Sequence, residues 1–274
     1  MEPFDEDLIA PPQRGAFSLE DDMDRSAFYA ALRKRDSGIF GTALSQRQVD
    51  GLEALLDACA GLSLHHAAHV LGESYHETGG GMFPVKETVY RSSKDLRPSD
   101  ATVIGRLEAA WRKGKLPWVR APYWREGWFG RGVIQLTHAD NYRRASALVG
   151  IDLVSHPEAA LEPAISARIA AEGCATGLFT GRKLTDFDLP GGGYDHAAAR
   201  AIVNGDARLN GLKVSGYAEA FERALRAAGW GVAPEIEPEP VEETDPTTAG
   251  PPAAATPSFF TALLRKILSI LKGA

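Results

Sequence analysis

The chain has 274 residues, of which 44% are hydrophobic and 24% charged. This is ordinary globular usage and excludes wholesale disorder. A net charge of −6 argues against a dedicated nucleic-acid binder. The two cysteines, Cys59 and Cys174, are too few for a disulfide framework or a four-thiolate zinc site.

The leader, residues 1–25, is acidic and has neither the basic flank nor the apolar run of a secretory signal. No stretch reaches the roughly 18 apolar residues of a membrane-spanning helix. We therefore expect a soluble protein that is made in the cytoplasm.

Residues 26–231 follow a mainly helical pattern. Ser45 and Gln48 match a capping box that opens a first helix. Ser63 caps a second helix, and three glycines at 79–81 end it, because successive glycines lose too much backbone entropy to stay helical. Residues 82–90 predict a short strand or hairpin. Further helices are predicted at 138–149, 163–178, 195–203 and 215–228, so the expected fold is mainly α with a small β element beside a cleft.

Two carboxylic acids stand near the end of the second predicted helix. Glu77 precedes the three glycines, and Glu87 follows ten residues later after a turn. Glycoside hydrolysis needs two such carboxyls facing one cleft, one protonated to donate to the leaving oxygen and one ionised. From the spacing alone, two solvated surface acids are a better interpretation of Glu77 and Glu87 than a catalytic pair.

The histidines suggest an alternative chemistry. One helical face carries His65, His69 and His76 together with Glu73. These are residue types that bind zinc, so a zinc site is an alternative to consider. However, the string HETGG lacks the second histidine of H-E-x-x-H. His69 and His76 also lie about 10 Å apart along the helix axis. We therefore predict no metal and no cofactor, and this polar face either lines a cleft or faces water.

Four tryptophans fall between positions 111 and 128, namely Trp111, Trp118, Trp124 and Trp128. Sugar rings pack their C–H faces on flat aromatic surfaces, whereas large aromatic residues are also typical of a core. The surrounding Arg, Lys, Gly and Pro favour a loop. Both interpretations stay open at this point.

A third cluster, WFGRGVIQLT at 128–137 followed by Asn141 and Tyr142, is the most specific. With HETGG at 76–80 before it and IVNG at 202–205 after it, the chain resembles family-19 glycoside hydrolases over residues 26–231. That family includes plant chitinases and the endolysins of phages and prophages, and the chain looks like its compact bacterial and phage branch. The resemblance implies a lysozyme-like α+β fold with a small β-hairpin beside the cleft, and an inverting mechanism.

The resemblance also implies roles for individual residues. Glu77 matches the general acid, Glu87 the general base and Thr137 the residue that holds the attacking water. Plant chitinases carry the second carboxylate further along, where this chain has Ser99 and Asp100, so Glu73 and Glu126 are alternative bases. The residues that the resemblance and the aromatic cluster assign to substrate binding are Gln135, Asn141, Asn204, Tyr142, Trp124 and Trp128. Arg131 is expected to brace the site.

Residues 232–258 contain seven of the 17 prolines and six acids but no base, which predicts a disordered, extended linker. Residues 259–272, FFTALLRKILSILK, are then predicted to form a cationic amphipathic helix too short to span a bilayer. The helix is predicted to lie on a membrane surface, the alternatives being docking on the catalytic domain or self-association. Its predicted membrane-contacting residues are Phe259, Phe260, Leu263, Leu264, Arg265, Lys266, Ile267, Leu268 and Leu271.

Together these features predict a monomeric endolysin that cleaves β-1,4 bonds of peptidoglycan strands and acts in the periplasm or cell wall after release. Neither a signal peptide nor a nucleic-acid partner is expected. A chitinase fits the motifs equally but would ordinarily be secreted. A catalytically inactive glycan-binding module would have no need to keep Glu77, Glu87 and Thr137 together.

Overall fold

Helices make up most of the described chain. The structure, a computed structural model, describes residues 23–89 and 93–231. Within these residues, eight α-helices follow one another: α1 (Arg25–Leu32), α2 (Gln46–Ala58), α3 (Leu64–Glu77), α4 (Asp100–Arg112), α5 (Ala139–Val149), α6 (Pro163–Thr176), α7 (His196–Ala199) and α8 (Ala207–Ala227). Short 3₁₀ helices lie at Arg35–Ser37, Tyr123–Glu126, Pro157–Leu161, Leu184–Phe187 and Arg200–Ile202. The prediction of a mainly helical protein is confirmed.

Helices α2 and α3 begin and end where the sequence predicts. The Ser45 side chain accepts a hydrogen bond from the backbone N–H of Gln48, and the Gln48 side chain accepts one from the backbone of Ser45. The Ser63 side chain caps α3 by accepting a hydrogen bond from the backbone N–H of His66. The helix ends at Glu77, and Gly79 and Gly80 follow with φ of 59° and 81°, a region that glycine enters without steric cost.

Helix α3 is the central element and is buried from residue 67 to residue 75. It packs mainly against α8, while α2 packs against α6 and α1 against α8. Gly72 allows the close approach, because a Cβ atom there would lie 2.8 Å from the backbone nitrogen of Ala218. The predicted polar face of α3 is largely enclosed, since the side chains of His69 and Glu73 have no exposed surface.

A two-stranded antiparallel sheet joins two distant parts of the chain. Strand β1 (Val85–Lys86) pairs with β2 (Arg131–Gly132), with Val85 opposite Gly132. The backbone N–H of Glu87 extends the pairing to the carbonyl of Gly130 at 2.7 Å. The predicted strand is therefore present, but residues 87–130 separate it from its partner, so it is not half of a local hairpin.

Three helical features differ from the prediction. Helices α1 and α4 lie where none was predicted, and the predicted helix at 195–203 is split into α7 and a 3₁₀ turn. Helix α8 begins at Ala207 rather than at 215. Its early turns contain Gly211, which weakens a sequence-based helix prediction. A Cβ atom on Gly211 would lie 2.4 Å from the carbonyl oxygen of Ala197, so tight packing on α7 accounts for this glycine.

The predicted linker at 232–258, the tail at 259–272 and most of the leader lie outside the described residues. Among the helices of residues 23–89 and 93–231, none is both long enough and apolar enough to cross a bilayer.

Candidate active site

Five of the predicted site residues line one cavity of about 620 Å³. Glu77 comes from the last position of α3, and the others come from the segment after β2, from α5 and from the turn before α8. They are Glu77, Gln135, Thr137, Asn141 and Asn204. The fold thus brings together residues that lie up to 127 positions apart in the sequence (204 − 77).

Glu77 is held at the cavity by an arginine that the sequence did not single out. Its side chain is 17% exposed, and its Oε1 accepts a hydrogen bond of 2.6 Å from Nη1 of Arg200. Arg200 is 2% exposed and opens the short 3₁₀ helix after α7. The other carboxylate oxygen of Glu77 takes no part in this ion pair.

Arg200 donates hydrogen bonds to three acidic side chains. Besides Glu77 it donates to Glu73 at 2.5 Å through Nη1 and to Asp206 at 2.7 Å through Nε. Burial alone would lower the pKa of Arg200, but hydrogen bonds and charges from Asp206, Glu73 and Glu77 raise it. The guanidinium therefore remains charged, and it sets the position of the Glu77 side chain.

Glu73, one of the alternative bases, is enclosed behind Arg200. It has no exposed surface, and burial raises its pKa to about 8 against the lowering effect of Arg200. Its Oε1 lies 3.6 Å from Nε2 of His69, and neither atom has a hydrogen-bond partner among the described residues. Burial lowers the pKa of His69 to about 3, so its ring is neutral. Because the Glu73 side chain is shielded from solvent, it has no water to activate, and it does not fit the role of general base in this structure.

Glu87 lies beside the cavity rather than among the residues that line it. Its Oε1 accepts a hydrogen bond of 2.8 Å from the hydroxyl of Tyr123, which does line the cavity. Its Oε2 accepts one of 2.9 Å from the backbone N–H of Gly130. Burial and the nearby Glu87 charge raise the pKa of Tyr123, so the phenol keeps its proton and donates it to this bond.

Thr137 and Gln135 use their side chains differently. The Thr137 hydroxyl donates to the backbone carbonyl of Gln135 at 3.0 Å and keeps its oxygen lone pairs for a further donor. The Gln135 amide nitrogen donates to the carbonyls of Val85 and Gly132 at 3.2 and 3.0 Å. Both hydrogens of the Gln135 side-chain amide are thus bonded to backbone carbonyls of the two strands. Only the side-chain oxygen of Gln135 remains available to a substrate.

Asn141 and Asn204 face the cavity with uncommitted amides. Neither side chain hydrogen-bonds another residue within 23–89 or 93–231. An asparagine amide offers two donors and one acceptor oxygen, which matches the hydroxyl and N-acetyl groups of an amino sugar.

The four tryptophans divide into one cavity residue and three packing residues. Trp118 is 73% exposed and lines the cavity. Trp124 is fully buried in a cluster with Val103 and Phe129, and Trp111 packs against that cluster. The prediction that Trp124 binds substrate is therefore wrong for this structure, because its ring has no surface to offer.

Trp128 and Tyr142, also predicted to bind substrate, lie away from the cavity wall. Their ring centroids are 5.3 Å apart, and Tyr142 is fully buried. The Tyr142 hydroxyl accepts a hydrogen bond of 2.9 Å from Arg131 and donates to the carbonyl of Phe129 at 3.0 Å. Tyr142 therefore supports the cavity from behind, and the prediction of substrate contact is corrected.

Arg131 braces the sheet, as expected. It is 1% exposed and bonds Asp100 at 2.8 Å in addition to Tyr142. Asp100 also pairs with Lys86 of β1 at 2.5 Å. Asp100 is thus committed to two cations. Glu126, the remaining alternative base, is exposed and does not line the cavity.

His138 and Phe179 are further cavity residues that the sequence did not reveal. His138 has φ of 70°, a conformation that costs a non-glycine residue energy and that recurs at functional sites. Its ring meets Tyr123 edge to face at 4.7 Å, so it buttresses the phenol that bonds Glu87.

No profile of a known protein family matches this sequence, and no curated protein matches it. Among solved structures, a mutant of chitinase C is 18% identical, with a TM-score of 0.39 over 79% of this chain and 97% of that one. Chitinase C from Streptomyces griseus HUT6037 is 19% identical, with a TM-score of 0.40 over 77% and 78%. A bacterial family 19 chitinase is 21% identical, with a TM-score of 0.39 over 76% and 96%.

Proposed function

We propose that this protein is a glycoside hydrolase that cleaves β-1,4 bonds of peptidoglycan by an inverting mechanism. In this proposal Glu77 is the general acid, Glu87 the general base and Thr137 the residue that orients the attacking water. The observation that carries it is the convergence of Glu77, Thr137, Asn141 and Asn204 on one cavity, beside the carboxylate of Glu87.

Glu77 protonates the glycosidic oxygen as its bond to C1 breaks. Arg200 holds Oε1, so Oε2 carries the proton that is transferred. Arg200 and the end of α3 hold the Glu77 carboxyl in one place. Little entropy is therefore lost in positioning the acid when the reaction occurs.

Glu87 takes a proton from water as the water oxygen attacks C1 from the opposite face. Each oxygen of Glu87 already accepts one hydrogen bond, and each retains a lone pair for the water. Thr137 accepts a hydrogen bond from the same water, because its own hydroxyl hydrogen is donated to the carbonyl of Gln135. An inverting pair needs carboxyls about 6.5–9.5 Å apart so that a water fits between them.

Substrate binding falls to the uncommitted groups on the cavity wall. The amides of Asn141 and Asn204 bind hydroxyl and N-acetyl groups, and the exposed face of Trp118 packs on a sugar ring. The carbonyl oxygen of Gln135 is a further acceptor.

The test is parallel digestion of purified peptidoglycan and chitin oligomers by the full chain, with the reducing ends identified by mass spectrometry and the anomeric configuration by NMR. Soluble muropeptides with the α-anomer first released from β-linked strands support the proposal. Cleavage of chitin alone would make the protein a chitinase, and retention of the β-anomer would exclude the inverting mechanism. Binding of both polymers without turnover would make it a glycan-binding module.

We further propose that the segment 259–272 lies on a membrane surface and assists lysis after the enzyme is released from the cytoplasm. The support is its sequence alone, with apolar residues on one face and Arg265 and Lys266 on the other. The full chain should release dye from anionic vesicles, and a chain that ends at residue 258 should not. Equal leakage from both would remove the tail from the proposal.

A further inference from the structure

Three side chains from three helices meet at the end of α3 opposite to Glu77. His65 lies in the first turn of α3, His196 opens α7, and Glu222 lies in α8. One ligand atom from each falls within 4.8 Å of the others, and among the described residues no other group of three histidine, cysteine or acidic side chains does so.

The geometry of this cluster points to a cation. Glu222 Oε2 lies 3.1 Å from Nδ1 of His65 and 3.4 Å from Nε2 of His196. Bonds of about 2.0–2.2 Å at tetrahedral angles place neighbouring ligand atoms about 3.3 Å apart. The two short edges of the cluster therefore already have the length that a tetrahedral zinc site needs.

The surroundings supply the outer contacts of such a site. Arg226 binds the other oxygen of Glu222 at 2.7 Å, so a cation would replace only the contacts of Oε2 with the two histidines. Nδ1 of His196 lies 3.4 Å from Nδ1 of His69. A metal on Nε2 of His196 would keep the proton on its Nδ1, and the His69 ring stacks on the His196 ring with centroids 5.6 Å apart, which helps to fix its orientation.

We propose that His65 Nδ1, His196 Nε2 and Glu222 Oε2 bind one zinc ion, with water as a fourth ligand. The side chains of His65 and Glu222 are 29% and 19% exposed, so the ion can enter from solvent and the fourth position stays open. The zinc joins α3, α7 and α8. It thereby fixes the segment that runs from His196 to Arg200, whose guanidinium binds Glu77.

The experiment uses the untagged full chain, dialysed against chelator and titrated with ZnCl2 by calorimetry, with native mass spectrometry giving the stoichiometry. One zinc per chain is expected, together with a rise in melting temperature. CoCl2 should give the visible absorption of tetrahedral Co²⁺, and zinc should abolish it.

His65→Gln and Glu222→Gln each remove a ligand from a half-buried position. Each should weaken zinc binding by more than about 100-fold, since even outer contacts of a metal site contribute about 10–100-fold. His66→Gln is the matched control, because His66 is the neighbouring histidine on α3 but bonds Asp188 instead. Circular dichroism checks the folding of all three.

The proposal is overturned if the wild type binds no zinc stoichiometrically, if bound Co²⁺ shows no tetrahedral spectrum, or if both ligand variants bind zinc as tightly as His66→Gln. Because calorimetry and spectroscopy need no substrate, failure of the zinc site and failure of the proposed hydrolysis are separate results.

Discussion

Nη1 of Arg200 lies 2.6 Å from Oε1 of Glu77, although the two residues are 123 positions apart in the sequence. Glu77 ends the buried helix α3, and Arg200 belongs to the short segment between α7 and α8. The same guanidinium binds Glu73 and Asp206. The position of the proposed acid is therefore set by the junction of three helices, and a displacement of the α7 segment would displace the carboxyl as well.

Replacing Glu77 tests the acid directly. Glu77→Gln keeps an oxygen that accepts from Arg200 but removes the transferable proton, so kcat on peptidoglycan should fall by about 10²–10⁴-fold with little change in melting temperature. Glu126→Gln is the control, because Glu126 is exposed and lies off the cavity wall. Substantial activity in Glu77→Gln, or an equal loss in Glu126→Gln, would remove Glu77 from the acid role.

The buried Glu73 predicts how stability depends on pH. Its pKa is raised to about 8 in the fold, whereas an unfolded chain has an ordinary glutamate pKa near 4.3. Between these values the folded state keeps a proton that the unfolded state has lost. The free energy of unfolding should therefore fall as pH rises from about 5 to about 8, and this loss should be of the order of a few kcal/mol.

Glu73→Gln isolates that effect, because glutamine keeps the shape and an oxygen for Arg200 but does not titrate. Urea unfolding of both proteins at several pH values between about 5 and 8 gives the comparison. The wild type should lose stability relative to Glu73→Gln across this window, and no difference should develop below about pH 4. Parallel curves throughout would show that Glu73 stays ionised in the fold.

Local signals explain which parts of this fold could be predicted. Helices α2 and α3 are marked by caps that act within three residues, at Ser45 and Ser63, and the glycines after Glu77 stop the second helix by backbone entropy. The residues at 82–90 also predict a strand, which the structure has at Val85–Lys86, but they do not predict its partner. Pairing Val85 with Gly132 depends on tertiary contact across 46 intervening residues (132 − 85 − 1), which no local pattern encodes.

In the candidate site too, some residues could be predicted from local sequence and others could not. Motif strings identified the cavity residues Glu77, Thr137, Asn141 and Asn204 because each lies within a short recognisable run. Arg200 stands in the run ARAIVNG with nothing to mark it as the partner of a distant glutamate. Trp118 and Trp124 look equivalent in sequence, because both lie in a segment rich in Arg, Gly and Pro. Tertiary packing buries Trp124 and leaves Trp118 on the cavity wall, and no local pattern predicts this difference.

Tyr123 is expected to position Glu87. Tyr123→Phe removes the hydroxyl that donates to Oε1 at 2.8 Å. The loss of one bond to a charged group should lower kcat by about tenfold, equal to about 1.4 kcal/mol, while KM stays nearly constant.

Tyr29→Phe is the matched control, because Tyr29 donates an equivalent bond of 2.6 Å to Glu53 in a region away from the cavity. Both variants should lose about 1 kcal/mol of stability, which urea unfolding measures. Only Tyr123→Phe should lose turnover. If the two variants retain the same kcat, the Tyr123 hydroxyl does not position the base.

The last prediction contrasts two tryptophans six positions apart. Trp118 is 73% exposed on the cavity wall and Trp124 is fully buried. Trp118→Ala should change stability by no more than about 0.5 kcal/mol yet raise KM for glycan oligomers about fivefold, since an aromatic stacking contact contributes about 1 kcal/mol. Trp124→Ala should lower the free energy of unfolding by about 3–5 kcal/mol, because it empties a packed cluster. Steady-state kinetics at a temperature where both variants remain folded, together with urea unfolding, separate the two effects. If Trp118→Ala destabilised the protein and left KM unchanged, the exposed ring would have to be reassigned to packing and the substrate face of the cavity sought elsewhere.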